Sequence, residues 1–216
     1  MFHLNSGFAN WRKKSHWLIL LASGYLLSGC SSLPTEPTHS VEWQAHQQQL
    51  AELSRYTLSG KMAYISPDER QSLNFYWKRS PAKSQLTLTT FLGQTALDLT
   101  ITTLGAKVVT HDGRTFEHPN ANMLVKKLTG LSIPVKELSD WAKGLPTNAD
   151  DYQIGSLNTL ESLQKNVNGQ PWNVVFNRYS EQSMKDQPSL VLPSSITLNH
   201  DQTKIKLAIS KWVITQ

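Results

Sequence analysis

Between Tyr56 and Thr102 apolar and polar residues alternate through four successive stretches, and this restricts the possible folds more than anything else in the chain. Tyr56, Leu58, Met62 and Tyr64 belong to one face, Ser59 and Lys61 to the other, and the stretch stops at Ser66-Pro67-Asp68. Leu73, Phe75 and Trp77 then alternate with Asn74 and Lys78 as far as Ser80-Pro81. Leu86 and Leu88 alternate with Gln85, Thr87 and Thr89, and Leu97, Leu99 and Ile101 with Asp98, Thr100 and Thr102. A period of two is that of a strand with one buried and one wet face. Short turns between such strands favour an antiparallel meander. A shorter pair follows around Val108-Val109, turning at Asp112-Gly113.

The period changes in the middle of the chain. Ala121, Leu124, Val125 and Leu128 follow helical spacing, with Pro119 suited to the first helical position and Gly130 to the stop. A second helix opens at Pro134, turns Val135, Leu138, Trp141 and Ala142 inward, and ends at Gly144. An earlier helix is expected over 41–56, with Trp43, Leu50 and Leu53 near one face. Alternation returns over 160–166, turns at Asn168-Gly169, and continues through Trp172, Val174 and Phe176. A last hairpin pairs roughly 190–198 with 204–214. The expected fold class is α+β: a curved antiparallel half-barrel sheet whose concave apolar face is covered by short helices.

The N-terminal segment bears on location. Arg12, Lys13 and Lys14 precede an apolar run, Trp17 to Leu27, too short to cross a bilayer as a helix and suited to an export signal. Leu27-Ser28-Gly29 leads into Cys30, the chain's single cysteine, which excludes an internal disulfide. The expected organisation is a lipoprotein signal peptide at 1–29, a lipidated Pro- and Ser-containing tether at 30–40, and one domain at 41–216. Loss of the first segment removes three basic residues and no acidic one, so the formal +5 falls to about +2. No basic stripe with interleaved aromatics is present, and nucleic acid is not an expected partner.

Catalytic patterns are absent from the sequence. It contains no Gly-x-Ser-x-Gly elbow, no His-Glu-x-x-His and no phosphate-binding glycine loop. His39, His46, His111, His118 and His200 have no metal-ligand spacing, and Asp150-Asp151 reads as a solvated turn or a helix cap. Neither enzyme activity nor a cofactor or metal is expected. The unusual material is apolar. Phe75, Trp77, Leu86, Leu88, Leu97, Leu99, Leu124, Leu128, Trp141 and Trp172 either fill a solid core or line a cavity for an apolar ligand between sheet and helices. Leu92 stands in Phe91-Leu92-Gly93, at a turn where polar residues are usual. It either folds back into the core or protrudes and can touch a membrane.

These residues together resemble the LolB family. The likeness rests on the small residues before Cys30, on Gly60-Lys61-Met62-Ala63-Tyr64-Ile65, on Leu92-Gly93, on KLTGLSIPVKELSDWAKGLP from Lys127 to Pro146, and on Ile205-Lys206-Leu207 with Trp212. The resemblance implies a receptor at the periplasmic face of the outer membrane, held there by lipid on Cys30. Such a receptor takes acylated lipoproteins from the soluble carrier LolA and inserts them into the inner leaflet, acting as a monomer. It implies that Leu92 is the protruding delivery residue; Phe91 stands where proline is common in that family. The alternative is a structural envelope lipoprotein with a packed core that binds another envelope protein.

Overall fold

The strands form one antiparallel sheet in which two meanders meet at the centre. The computed structural model describes residues 36–37, 40–130, 133–184 and 187–215, all within the unit Pro34–Gln216. Cys30, the export segment and His39 lie outside the described residues. The first meander comprises β1 (Tyr56–Ile65), β2 (Arg70–Arg79), β3 (Lys83–Thr89), β4 (Thr95–Thr102), β5 (Gly105–Thr110) and β6 (Thr115–His118). The second comprises β7 (Asp151–Ile154), β8 (Leu160–Val167), β9 (Gln170–Met184), β10 (Gln187–His200) and β11 (Thr203–Ile214). Their order is β6-β5-β4-β3-β2-β1-β11-β10-β9-β8-β7, so β1 is flanked by the first strand to follow it and by the last of the chain. Eleven strands at about 4.8 Å spacing make a sheet on the order of 50 Å wide. This is the α+β half-barrel that the alternation implies.

Register puts the apolar parity of the central strands on the concave side. Leu58 faces Trp212 and Trp77, while Met62 faces Leu207 and Leu73. A bulge between Ser59 and Gly60 shifts the pairing with β11, so Ser59 meets Lys211 and Gly60 meets Ile209. Glycine is needed there, since a Cβ at position 60 would stand 2.0 Å from the Ala208 carbonyl oxygen.

Three short helices are present among the described residues. α1 (Trp43–Glu52) is capped by the Glu42 carboxylate, which accepts from the amides of Gln44 and Ala45 at 3.2 and 2.7 Å. α2 (Ala121–Thr129) begins two residues later than the proline signal suggests. The Asn120 side chain accepts from the Met123 amide at 3.1 Å and so takes the N-cap, leaving Pro119 outside. Gly130 closes this helix at φ 76°, a left-handed conformation. α3 (Val135–Trp141) is followed by a turn ending at Gly144, φ 92°. It is fastened by the Tyr56 hydroxyl, which donates to the Ser139 carbonyl at 2.6 Å, and by the Trp141 indole N–H, which donates to the Thr147 carbonyl at 2.9 Å. Burial pushes the Tyr56 hydroxyl pKa well up, so the group remains a donor.

The main core packs α1, α3 and strands from both meanders around Leu50, Leu58, Trp141, Leu163, Trp172 and Leu192. A second cluster lies under α2, where Leu124 and Val125 meet Ala106 and Val108 of β5 and Leu99 of β4. His46 is buried with Leu50 on α1, its Nε2 without a hydrogen-bond partner among the described residues, and burial lowers its pKa below 6.5.

Two outcomes follow from this packing. Gly60→Ala should destabilise the fold by roughly 3 kcal/mol in chemical denaturation, because backbone on two strands must move; an unchanged midpoint contradicts the close approach. The native state favours neutral His46, so stability should fall as the pH drops below 6.5, where the unfolded chain takes up the proton first. His46→Leu should flatten that part of the stability-versus-pH curve, and an unaltered curve shows that another group is responsible.

Candidate functional site

An apolar cavity of about 450 Å³ lies between the concave face of the sheet and helices α2 and α3. Its sheet wall comes from alternate residues of neighbouring strands: Met62 and Tyr64 of β1, Leu73, Phe75 and Trp77 of β2, Leu86 and Leu88 of β3, and Ala96, Leu97 and Leu99 of β4. Leu198 of β10 with Ile205 and Leu207 of β11 extends that wall. The helical side supplies Val125 and Leu128 of α2, Ile133 of the connection, and Val135 and Leu138 of α3. Glu69 and Gln71 are the polar exceptions, both at the β1–β2 turn and the start of β2. The space persists because a helix is only about 10 Å across and cannot fill the hollow of so wide a sheet.

The Trp77 indole N–H donates to Ser84 Oγ at 2.8 Å, which leaves the ring's carbon edge to the cavity. Room for an acyl chain can be judged from an apolar cavity of about 150 Å³ that holds benzene, roughly 25 Å³ per carbon. On that scale 450 Å³ holds on the order of eighteen carbons.

Of the ten residues expected to line a cavity, Phe75, Trp77, Leu86, Leu88, Leu97, Leu99 and Leu128 do so. The other three need correction. Leu124, 2% exposed, points under α2 into the second cluster, and Trp141 is fully buried behind α3, held by its indole bond. Trp172 stacks on the His200 ring at 5.2 Å in the half of the core formed by the second meander. Large aromatics marked for the cavity thus serve the solid core instead. Met62, Tyr64, Val135, Leu138, Ile205 and Leu207 escaped, although their inward parity or helical spacing was visible.

At one end of the sheet the β3–β4 loop stands clear of the domain. Phe91 is 85% and Leu92 71% exposed. The Gly93 amide donates to the Thr90 carbonyl at 3.0 Å, the Thr90 amide to the Gln94 carbonyl at 2.8 Å, and the Gln94 amide to Thr90 Oγ1 at 3.3 Å. Gly93 has φ 82°, which closes this three-residue turn, while a Cβ there would meet only open space. β2 continues past the pairing of Asn74 with Thr89, so its first residues, Gln71 among them, flank the loop. The polar part of the cavity lining and the exposed pair therefore occupy the same end of the sheet.

No group of three or more metal-ligating side chains occurs among the described residues. His200 is buried, its Nδ1 2.8 Å from the Pro171 carbonyl. Asp150 accepts from Lys165 Nζ at 2.8 Å and from the Asn166 amide at 2.5 Å, and the lysine bond lowers its pKa. Asp151 opens edge strand β7, so Asp150 ties the start of that strand to β8.

The fold and site define a class: half-barrels with an apolar cavity beneath short helices. A DUF1329-family protein from Desulfovibrio piger has a related fold, with TM-score 0.50 at 8% identity over 83% of this chain and 94% of its own. The family described as outer membrane lipoprotein LolB matches residues 54–212. A Vibrio atlanticus protein named outer-membrane lipoprotein LolB is 50% identical over 199 residues, 88% of this chain and 92% of its own. Its namesake from Vibrio cholerae is 43% identical over 90% of this chain and 94% of its own, and that from Serratia proteamaculans 34% over 91% and 95%. The chain belongs to the LolB family.

Ala96 offers a way to test the cavity. Ala96→Phe should project a ring into it and weaken saturable binding of a fluorescent fatty acid about tenfold, a loss of about 1.4 kcal/mol. Equal affinity in the two proteins would place the probe elsewhere.

Proposed function

We propose that this chain is a lipoprotein receptor of the outer membrane. It takes acylated proteins from the soluble carrier LolA into the cavity and passes them to the inner leaflet, making and breaking no covalent bond. The observation that carries this reading is an apolar cavity large enough for an acyl chain whose polar lining shares one end of the sheet with an exposed Phe91-Leu92 pair. A structural lipoprotein with a solid interior does not account for that space.

The energetics require such a protein. Three chains of about sixteen carbons would cost on the order of 35 kcal/mol if their methylenes met water, at about 0.8 kcal/mol each. Free diffusion of bare cargo is therefore negligible, and chains must move from one apolar container to the next. A cavity with room for about one chain shelters a triacylated cargo only if α2 and α3 move outward or the other chains stay with carrier or bilayer.

The chain has three working parts in this reading. Residues 1–29 direct export, Cys30 takes the lipid with 30–40 as tether, and 41–216 form a monomeric transfer domain at the periplasmic face. Leu92, with Phe91 before it and Gly93 holding the turn, enters the lipid interface and gives the departing chains an apolar path.

Leu92→Glu should leave transfer from carrier to receptor within about twofold while slowing incorporation of cargo into liposomes at least about tenfold, since a carboxylate resists entering hydrocarbon. Incorporation at the wild-type rate would remove Leu92 from the delivery step.

A further inference from the structure

The convex side of the half-barrel carries charge of one sign. Strands β3, β2, β1, β11 and β10 are neighbours in that order, and none of the five contains an Asp or Glu. Lys61, Arg70, Lys78, Lys204, Lys206 and Lys211 all lie on the outer face and all are exposed. Register distributes them over one area of β2, β1 and β11. Arg70 pairs with Ile65, and Ile65 in turn with Lys204; Lys206 pairs with Ala63, Lys211 with Ser59 and Lys78 with Thr57. Lys61 sits between Asn74 and Ala208. None of the six forms a side-chain ion pair among the described residues.

This is segregation rather than a general excess of base. The chain from Cys30 onward carries only about +2, so six cations on one face leave the remainder net negative. The nearest acids are at the margins: Asp98 of β4 among Gln85 and Thr87, Glu181 of β9, Asp68 and Glu69 in the β1–β2 turn, and Asp201 beside His200. With strands about 4.8 Å apart, Arg70 and Lys204 on either side of Ile65 stand about 10 Å apart, comparable with a Debye length of about 8 Å, so their fields overlap. Tyr76, 52% exposed, and Val213, 44% exposed, project from the same face. An amphipathic tyrosine among lysines suits a water–lipid boundary.

We infer that this cationic back binds a bilayer surface bearing anionic phospholipid headgroups. Five of the six cations are lysines, point charges on long stems without the fork that selects a fixed carboxylate. Spread over three strands with no pocket among them, they match mobile, closely spaced phosphates better than an acidic side-chain pattern. With its back on the leaflet the domain turns the helix-covered concave side away from the lipid, where a soluble donor can reach it. The inference concerns a different surface from the cavity and does not depend on the anchor at Cys30.

The test uses the full chain as the cell processes it, reconstituted on vesicles of phosphatidylcholine alone and of phosphatidylcholine with phosphatidylglycerol. A membrane-impermeant amine-acylating reagent labels exposed lysines, and peptide mass spectrometry reads the rate at each site. On the anionic vesicles Lys204 and Lys206 should label about fivefold more slowly than on the neutral ones, the factor matching about 1 kcal/mol per lysine at an anionic surface. High salt should abolish the difference, and Lys126 and Lys127 on α2 should label alike on both. Equal rates on the two compositions, protection that survives high salt, or protection of Lys126 and Lys127 to the same degree would each overturn the inference. So would lysines that become protected only when an acidic soluble protein is added.

Discussion

The whole structure depends on a mismatch between the apolar face of a wide curved sheet and the little that is available to cover it. Most of the eleven strands present one parity inward, and among the described residues three helices of seven to ten residues must shield that surface. A β-sandwich meets the same demand with a second sheet and achieves crystal-like density. Here α1 and α3 close the hollow over the second meander, where Trp141, Trp172 and Leu163 pack solidly. Over the first meander α2 forms a separate cluster with β5, and the space between the two packed regions remains open. The cavity is the part of the concavity that the helices are too small to reach.

Strand β1 ties the two halves together, and the irregularity in its pairing with β11 is a structural requirement. It is hydrogen-bonded on one side to β2 and on the other to β11, so Gly60 lies where the first and second meanders are joined. The bulge in β11 opposite Ser59 and Gly60 brings backbone within the space a methyl group needs, and this crowding penalises every other residue. Past the bulge Met62 and Tyr64 turn into the cavity, whereas before it Tyr56 and Leu58 belong to the solid core. One strand therefore contributes to both regions, and the bulge falls at the change.

Strands with strict alternation were legible from residues alone, as were the αL stop at Gly130 and the turn at Asn168-Gly169, where both residues have positive φ. β7 was not, because Asp151-Tyr152-Gln153-Ile154 is a short edge strand, mostly exposed, that has no apolar parity to read. Most of β9 beyond Phe176 was also hidden. Tyr179 and Ser180 are both buried, a break in alternation beside the register shifts opposite Pro193 and Ser195. Within the site, parity could show which side chains point inward but not whether anything fills the space beyond them. That is why Trp172 and Leu99 looked equivalent: one stacks on His200, and the other borders the cavity. The protruding loop had a better signal, since a turn closed by Gly93 leaves neighbouring side chains little to pack against.

A container that must empty needs a weaker hold than its destination, and the geometry supplies one. A bilayer surrounds every methylene with hydrocarbon, while a cavity that ends at Glu69 and Gln71 leaves part of a long chain beside polar groups and water. Each methylene so placed forfeits up to about 0.8 kcal/mol relative to full burial. A handful of poorly covered methylenes therefore makes the step to lipid favourable by several kcal/mol, enough to set its direction. On these figures release runs downhill by itself. The open end thus supplies the driving force for transfer: a cavity closed on all sides would hold its guest about as well as a membrane does and leave the step without a downhill direction.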